Sequence, residues 1–416
     1  MKKRHTVLLF LASLSAICFL DRLAIAVAGP RIQDALHIPP ERWGWVLGAF
    51  AFAYGLFEIP SGASGDRMGQ RKVLTRVVVL WSVFTAATAA SLGFVQLMAT
   101  QFFFGAGEAG AYPNAAGVIG RWFPKAERGR AQGVVWASSR LGGALSPLLV
   151  VPLLVAVGWR AMFCIFACLG LVWAFFWRRW FHDSCQEQPG ITARELREIG
   201  PDASVRGHGG SPWRALRASR QVWLLAAMYW CYVWASWFYF TWFPTYMVRG
   251  AGFTERRMGL LSALPFLMGC LGNIAGGIAT DRLSRRYGLK VGRCLLASSA
   301  LALSSLLILA LAFSADKVAI VLLASAGFGV LDLMLPAAWS LCLDIGGSHA
   351  GAVGGAMNTA GLAGGFVCTV LFGYLVKATG GYRTPICLIG IMVMISAAIF
   401  LLIDPYRPVW TDDRSD

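Results

Sequence analysis

Residues 65–72, GDRMGQRK, and residues 279–288, ATDRLSRRYG, carry one pattern twice: an Asp-Arg pair followed by a further arginine at the same spacing. In the first copy these are Asp66, Arg67 and Arg71, and in the second Asp281, Arg282 and Arg286. Only 14% of the chain is charged, so both are polar islands between long apolar runs. A pattern that recurs in corresponding places marks a duplicated chain whose two halves share one architecture. In the first copy Gly62, Gly65 and Gly69 permit close helix approach and a tight turn.

Outside these islands the chain is 57% hydrophobic, with 26 Phe and 17 Trp among 416 residues, too apolar for one water-soluble domain. Apolar runs of roughly 20 residues, the length that crosses about 30 Å of hydrocarbon, recur from end to end. Twelve spans are predicted, at 6–28, 43–64, 73–92, 97–120, 131–155, 162–180, 221–248, 258–279, 293–313, 318–343, 351–376 and 385–403. The expected fold class is therefore an all-α membrane protein of twelve transmembrane helices. The polar stretch 181–220 divides them into a six-helix bundle over residues 1–180 and a second over residues 221–416 with a short cytoplasmic tail. That stretch reads as a solvated, flexible cytoplasmic linker, within which ITARELREI has the pattern of a short amphipathic helix. The N-terminus superficially resembles a secretory signal, with MKKRH as its basic region. Asp21 and Arg22 would interrupt its apolar region and cleavage would leave an odd number of helices, so it reads as the first span.

The net charge of +16 does not point to nucleic acid, because Lys and Arg gather in alternate loops. With both termini in the cytoplasm those are the inner loops, as the positive-inside rule requires. The ten Cys are scattered without metal or redox spacing and read as small buried hydrophobes. All five His (His5, His37, His182, His208, His349) sit in tails, loops or helix ends. Any proton carried through the membrane then falls to a carboxylate, and neither cofactor nor metal is expected.

The glycine, Asp-Arg and basic pattern resembles the loop between the second and third helices of the major facilitator superfamily. Longer stretches are similar to one branch, the anion:cation symporter family: LDRLAIAVAGP in the first span, YGLFEIPSGASGDRMGQR from the second, GAGEAGAYPNAAGVIGRWFPKAERGRAQG from the fourth, WFYFTWFPTYM ending the seventh and GGAMNTAGLAGG in the eleventh. The resemblance implies two bundles that give alternating access and a proton-coupled uptake of an organic anion, a sugar acid or other small carboxylate. It also implies a monomer in the inner membrane, and a transporter rather than an enzyme.

Charges in hydrocarbon cost roughly 2.5 to 3.5 kcal/mol on insertion scales, so those that occur face a cavity or a partner. The deep ones are Asp21, Arg22, Glu58, Glu108, Arg140 and Asp332. Adjacent residues stand about 100° apart on a helix, which points Asp21 and Arg22 at different neighbours. The resemblance implies that Asp21 and Glu108 titrate protons and that Arg22 holds the substrate carboxylate; a structural pairing of either acid with arginine is the alternative. It also places Tyr54 and Asn358 among substrate-contacting positions and the two Asp-Arg loops at the gates. Where many relatives carry Arg, seven residues before the helix-four acid, this chain has Gln101. Arg140, in WASSRLGGALSPLL, is an unexpected base that would supply the missing cation, by pairing with Glu108 or by forming a second anion clamp with Arg22; the alternative is a place nearer the cytoplasmic end, from which it snorkels to lipid phosphate. Asp332 has no role that the resemblance supplies. The Trp and Tyr run of the seventh span reads mainly as an interfacial belt. A proton-coupled exporter shares the fold, but Ser146-Pro147 replaces the Gly-Pro step of the exporter signature, and Arg22 and Arg140 favour anionic cargo.

Overall fold

The computed structural model describes residues 2–199, 213–346, 350–407 and 409, apart from the side chains at positions 59, 63, 66, 125, 126, 129, 213–215, 350 and 351. His208 and His349 lie outside the described residues, and so does the side chain of Asp66. Among the described residues every regular element is helical. The chain forms two compact units, Met1–Gly207 and His208–Asp416.

The first unit comprises α1 (Lys3–Val27), α2 (Gly29–Leu36), α3 (Pro40–Met68), α4 (Gln70–Ala89), α5 (Phe94–Glu108), α6 (Ala111–Trp122), α7 (Lys125–Trp180) and α8 (Ala193–Ile199). The second comprises α9 (Trp213–Ala218), α10 (Arg220–Trp237), α11 (Phe243–Thr245), α12 (Glu255–Leu261), α13 (Ala263–Tyr287), α14 (Leu296–Phe313), α15 (Lys317–Asp332), α16 (Leu335–Gly346), α17 (Ala350–Thr379) and α18 (Arg383–Leu402). Eight helical stretches among the described residues are long and apolar enough to cross a membrane. One of these, in α7, holds two expected spans that meet at Gly158, whose φ of +77° breaks the helix. The other expected spans fall on α3, on the short pair α5 and α6, and on α10, where Trp and Tyr lower the hydropathy.

In each unit the first spanning helix packs against the fifth in the same register. A Cβ on Gly142 would lie 2.3 Å from the Ala16 carbonyl oxygen, and one on Gly364 would lie 2.6 Å from that of Trp230. Four residues further on, Ser146 Oγ donates to Leu20 O at 3.0 Å and Cys368 Sγ to Trp234 O at 3.3 Å. Glycine is needed because backbone replaces side chain at the contact.

The fourth span of each unit is broken directly after an acid: α5 ends at Glu108 and α6 begins at Ala111, while α15 ends at Asp332 and α16 begins at Leu335. The physical cause is Pro113 and Pro336, which lack the N–H that would bond the carbonyl four residues earlier.

The aromatic run of the seventh span is not an interfacial belt. Trp234, Trp237, Tyr239, Trp242 and Tyr246 are buried. Tyr239 meets Phe328 at 4.6 Å and Trp242 stacks on Phe372 at 4.9 Å. Two π-turns, Phe238–Trp242 and Tyr246–Gly250, flank Pro244 and rotate successive rings into the core.

Part of the linker is also ordered rather than a solvated connector. Residues Ala193–Ile199 form α8, whose Glu195 carboxylate accepts from the backbone N–H of Lys3 at 3.1 Å and of Arg4 at 2.9 Å. These N–H groups belong to the first turn of α1, which has no side-chain cap of its own. Arg4 is buried and its Nη2 reaches Glu127 at 3.0 Å and Glu198 at 3.1 Å, while Lys2 bonds Glu198 at 2.5 Å. Arg4 thereby ties the start of α1 both to the linker and to the start of α7.

Candidate functional site

Three deep charges of the first unit, Asp21, Arg22 and Glu108, gather around the second half of α1. Arg22 Nη2 donates to Glu108 Oε1 at 2.5 Å, joining α1 to the end of α5. The guanidinium also lies 5.0 Å from the Phe19 ring and 4.9 Å from the rings of Phe50 and Tyr54. Aromatic faces stabilise a cation without neutralising it. Glu108 is fully buried, its second oxygen accepts no hydrogen bond among the described residues, and the Cys18 thiol lies close to the carboxyl group.

Asp21 is buried too and belongs to the same electrostatic neighbourhood as Glu108. Neither of its oxygens accepts a hydrogen bond among the described residues. The Trp81 indole N–H lies beside it without closing one.

The other expected residues are placed as follows. Tyr54 joins the Arg22 cage. Gln101 is buried and donates to Thr88 Oγ1 at 3.1 Å, which ties α5 to α4. Arg140 is buried on α7, one turn after Trp136, whose ring stacks on Tyr112 at 4.8 Å. Asn358 lies half-buried on α17, in the other unit.

Around the first Asp-Arg loop, Gly69 takes φ +86°. Asp183, just after α7, accepts from the Arg71 backbone N–H at 2.9 Å, and the Arg71 guanidinium donates to Arg178 O at 2.6 and 3.0 Å. Gly65 lies against Asn114 of α6, while Arg67 is exposed. Around the second, Arg293 bridges Asp281 at 3.6 Å and Asp344 at 3.0 Å. Arg282 is exposed and Arg286 lies over the Tyr287 ring at 5.2 Å. Gly288 has φ +86°, and the following N–H, of Leu289, donates to Tyr406 Oη at 3.0 Å. In both units, then, a polar side chain after the last long helix bonds the chain just beyond a left-handed glycine.

Asp183, Arg293, Glu195 and Cys18 were not singled out from the sequence. Asp183 and Arg293 had a usable signal, since each is a charge at a helix end on the loop side where the two motifs lie. Cys18 had none, because a thiol in an apolar run looks like any small hydrophobe.

A family model described as Major Facilitator Superfamily matches residues 11–369. The "Probable sulfoacetate transporter SauU" of Cupriavidus necator is 36% identical over 99% of this chain and 96% of its own. The "Hexuronate transporter" of Bacillus subtilis is 29% identical over 99% and 98%, and the "Probable galactarate/D-glucarate transporter GarP" of Escherichia coli 27% identical over 96% and 94%. Among solved structures, a bacterial homolog of the human lysosomal transporter Spinster, inward-facing and unoccupied, shares the fold with a TM-score of 0.79 over 96% of each chain at 16% identity. With a superfamily match from the first span into the eleventh and relatives along its whole length, this chain is a multi-pass membrane transporter that belongs to the Major Facilitator Superfamily, in its anion:cation symporter family.

Proposed function

We propose that the protein takes up a small organic anion together with protons, the cargo being a sugar acid or another small carboxylate, a class that the sulfoacetate relative extends to sulfonates. The observation that carries this reading is the Arg22–Glu108 pair inside its aromatic cage. Arginine stays charged at every working pH and grips a carboxylate or sulfonate through parallel hydrogen bonds. Glu108 occupies part of that grip. A proton on Glu108 removes its negative charge and releases Arg22 to the cargo; departure of the cargo restores the pair and expels the proton. Asp21, buried nearby with neither oxygen accepting a hydrogen bond among the described residues, is the second proton carrier.

In the proposed cycle Tyr54, Gln101, Arg140 and Asn358 complete the contacts to the cargo. The two six-helix bundles, residues 1–180 and 221–416, alternate access around it. Asp66 and Arg67, with Gly65, Gly69 and Arg71, control one gate loop, and Asp281, Arg282 and Arg286 control its counterpart. Two protons with one monoanion carry one net positive charge inward, worth about 2.3 kcal/mol per 100 mV. The protein is proposed to act as a monomer in the inner membrane with both termini in the cytoplasm.

The test is uptake into proteoliposomes while external pH is followed, with sulfoacetate, hexuronates, galactarate and an aromatic acid added in turn. Alkalinisation on adding one class establishes symport and names the cargo. Uptake of an anion with no pH change overturns proton coupling, and transport of a cation or neutral compound alone overturns the anion assignment.

A further inference from the structure

The second unit contains a buried acid in the position that Glu108 holds in the first. The sequences leading to the two are Phe104-Gly105-x-x-Glu108 and Phe328-Gly329-x-x-Asp332, each followed by a proline, Pro113 or Pro336. Each acid is the last residue of a helix that the proline interrupts. Each phenylalanine packs on a ring of its own unit, Phe104 on Phe50 at 5.3 Å and Phe328 on Phe266 at 5.5 Å. Each glycine lies against the backbone of the second spanning helix, Gly105 at Phe50 and Gly329 at Met268. Both acids are fully buried.

The groups that meet these acids correspond as well. Leu20 and Trp234 are matched by the contacts that their carbonyls receive from the fifth and eleventh spans. Counting back two residues matches Cys18 with Tyr232, and counting forward two matches Arg22 with Ser236. Cys18 lies against Glu108, and Tyr232 Oη donates to Asp332 Oδ1 at 3.3 Å. The duplicated fold thus places a donor from the same position of the first helix on each acid, while the position that carries the guanidinium in the first unit carries a hydroxyl in the second.

We propose that Asp332 is a proton-binding site of the second unit, with Tyr232 as the donor that steadies its carboxylate. At a helix C-terminus a carboxylate opposes the helix dipole, which adds to the cost of burying its charge. From α10 the titratable groups on this side are Tyr232 and Tyr229, whose rings lie 5.2 Å apart. From α13 the facing residue is Gly269, where a Cβ would come 2.9 Å from Asp332 Oδ2; the charged residues of α13 are at its far end. Along its whole length α14 carries no titratable residue. The place of Asp332 in a transport cycle rests on the proton coupling proposed above, whereas proton binding itself does not.

The experiment is an infrared titration of the full chain in lipid nanodiscs with no cargo, reading the C=O band of protonated carboxyl groups. The expected result is a band that vanishes reversibly on alkalinisation, is missing from Asp332→Asn, and in Tyr232→Phe persists to a pH higher by about one unit, the effect of one lost hydrogen bond to a charged group. If Asp332→Asn does not assemble, Asp332→Glu keeps an acid and displaces the band, making the same assignment. Spectra that these substitutions leave unchanged overturn the proposal, and a band that Tyr232→Phe does not move overturns the role of Tyr232. Glu108→Gln, read in the same spectra, reports on the first unit separately, so failure of proton-coupled uptake and failure of Asp332 to bind a proton are told apart.

Discussion

Arg22 donates to Glu108, 86 positions further along the sequence, yet among the described residues makes no ion pair with Asp21, the residue next to it. The turn of about 100° per residue sends the two neighbours to different sides of α1. Arg22 is left with one counter-charge and three aromatic faces. The expected consequence is strong mutual dependence. Glu108→Leu or Arg22→Leu alone should destabilise the first unit by about 3 to 5 kcal/mol, because each strands a buried charge, whereas the double substitution should recover most of that loss. A denaturation series on the four proteins measures it, and additive losses would show that the two groups do not depend on each other.

Arg140→Gln tests whether the base on α7 reaches the cargo. Loss of a charged hydrogen bond to an anion should weaken apparent affinity by about tenfold or more while leaving protein yield unchanged. Uptake kinetics with the acid that wild type carries provide the measurement. An unchanged KM would remove Arg140 from the site.

Glu195 supplies the cap that α1 lacks. Glu195→Ala should cost about 1 to 2 kcal/mol locally, so amide exchange over residues 3–8 should quicken by roughly five- to thirtyfold. The Arg71 amide, held by Asp183 in a different place, serves as the internal control. Equal exchange in both proteins at residues 3–8 would show that α8 does not hold α1.

Gly69 and Gly288 each have φ +86°, and a Cβ would come 2.5 Å from Asp183 Oδ2 at the first and 2.8 Å from Tyr406 Oη at the second. Gly69→Ala and Gly288→Ala should each lower stability by about 1 to 3 kcal/mol, from backbone strain and the displaced hydrogen-bond acceptor together. Thermal unfolding reads this directly. A neutral Gly69→Ala would mean that the loop relaxes away from its turn at little cost.

The Lys2 ammonium beside Glu198 holds that carboxyl below the usual glutamate range, with Arg4 and Arg194 adding to the effect. A lowered value means that the contribution of the pair is complete above the ordinary value of about 4.3 and is lost as pH falls through the lower one. The strap on α1 should therefore be closed at neutral pH and loosen only in strong acid. Lys2→Ala should raise the Glu198 titration toward the ordinary value in a carbon-detected carboxyl titration; an unmoved midpoint would assign the effect to Arg4 and Arg194.

Much of this was legible without coordinates. Twelve apolar runs, the paired Asp-Arg loops and the buried positions of Asp21, Arg22 and Glu108 follow from hydropathy and spacing, because a membrane admits few ways of satisfying the backbone. One reading failed. The Trp and Tyr run around Trp242 reads from sequence as an interfacial belt, because Trp suits either a core or an interface, and the short helix expected in ITARELREI carries no sign of what it docks on. Composition does not distinguish these; the available partners, Phe372 and the amides of Lys3 and Arg4, do.

The sequence by itself determined the class of molecule, its duplication and which charges enter the membrane, since each of these depends on local hydropathy or on a pattern repeated along the chain. Only the tertiary structure decided that Glu108 pairs with Arg22, that Gln101 turns to Thr88, that Asp183 and Tyr406 close the two glycine turns, and that Tyr232 meets Asp332. These are contacts between residues distant in sequence. They are fixed by how closely helices approach and how far each is rotated, and a single helix's periodicity says which face is apolar but not which side chain of another helix will stand opposite it.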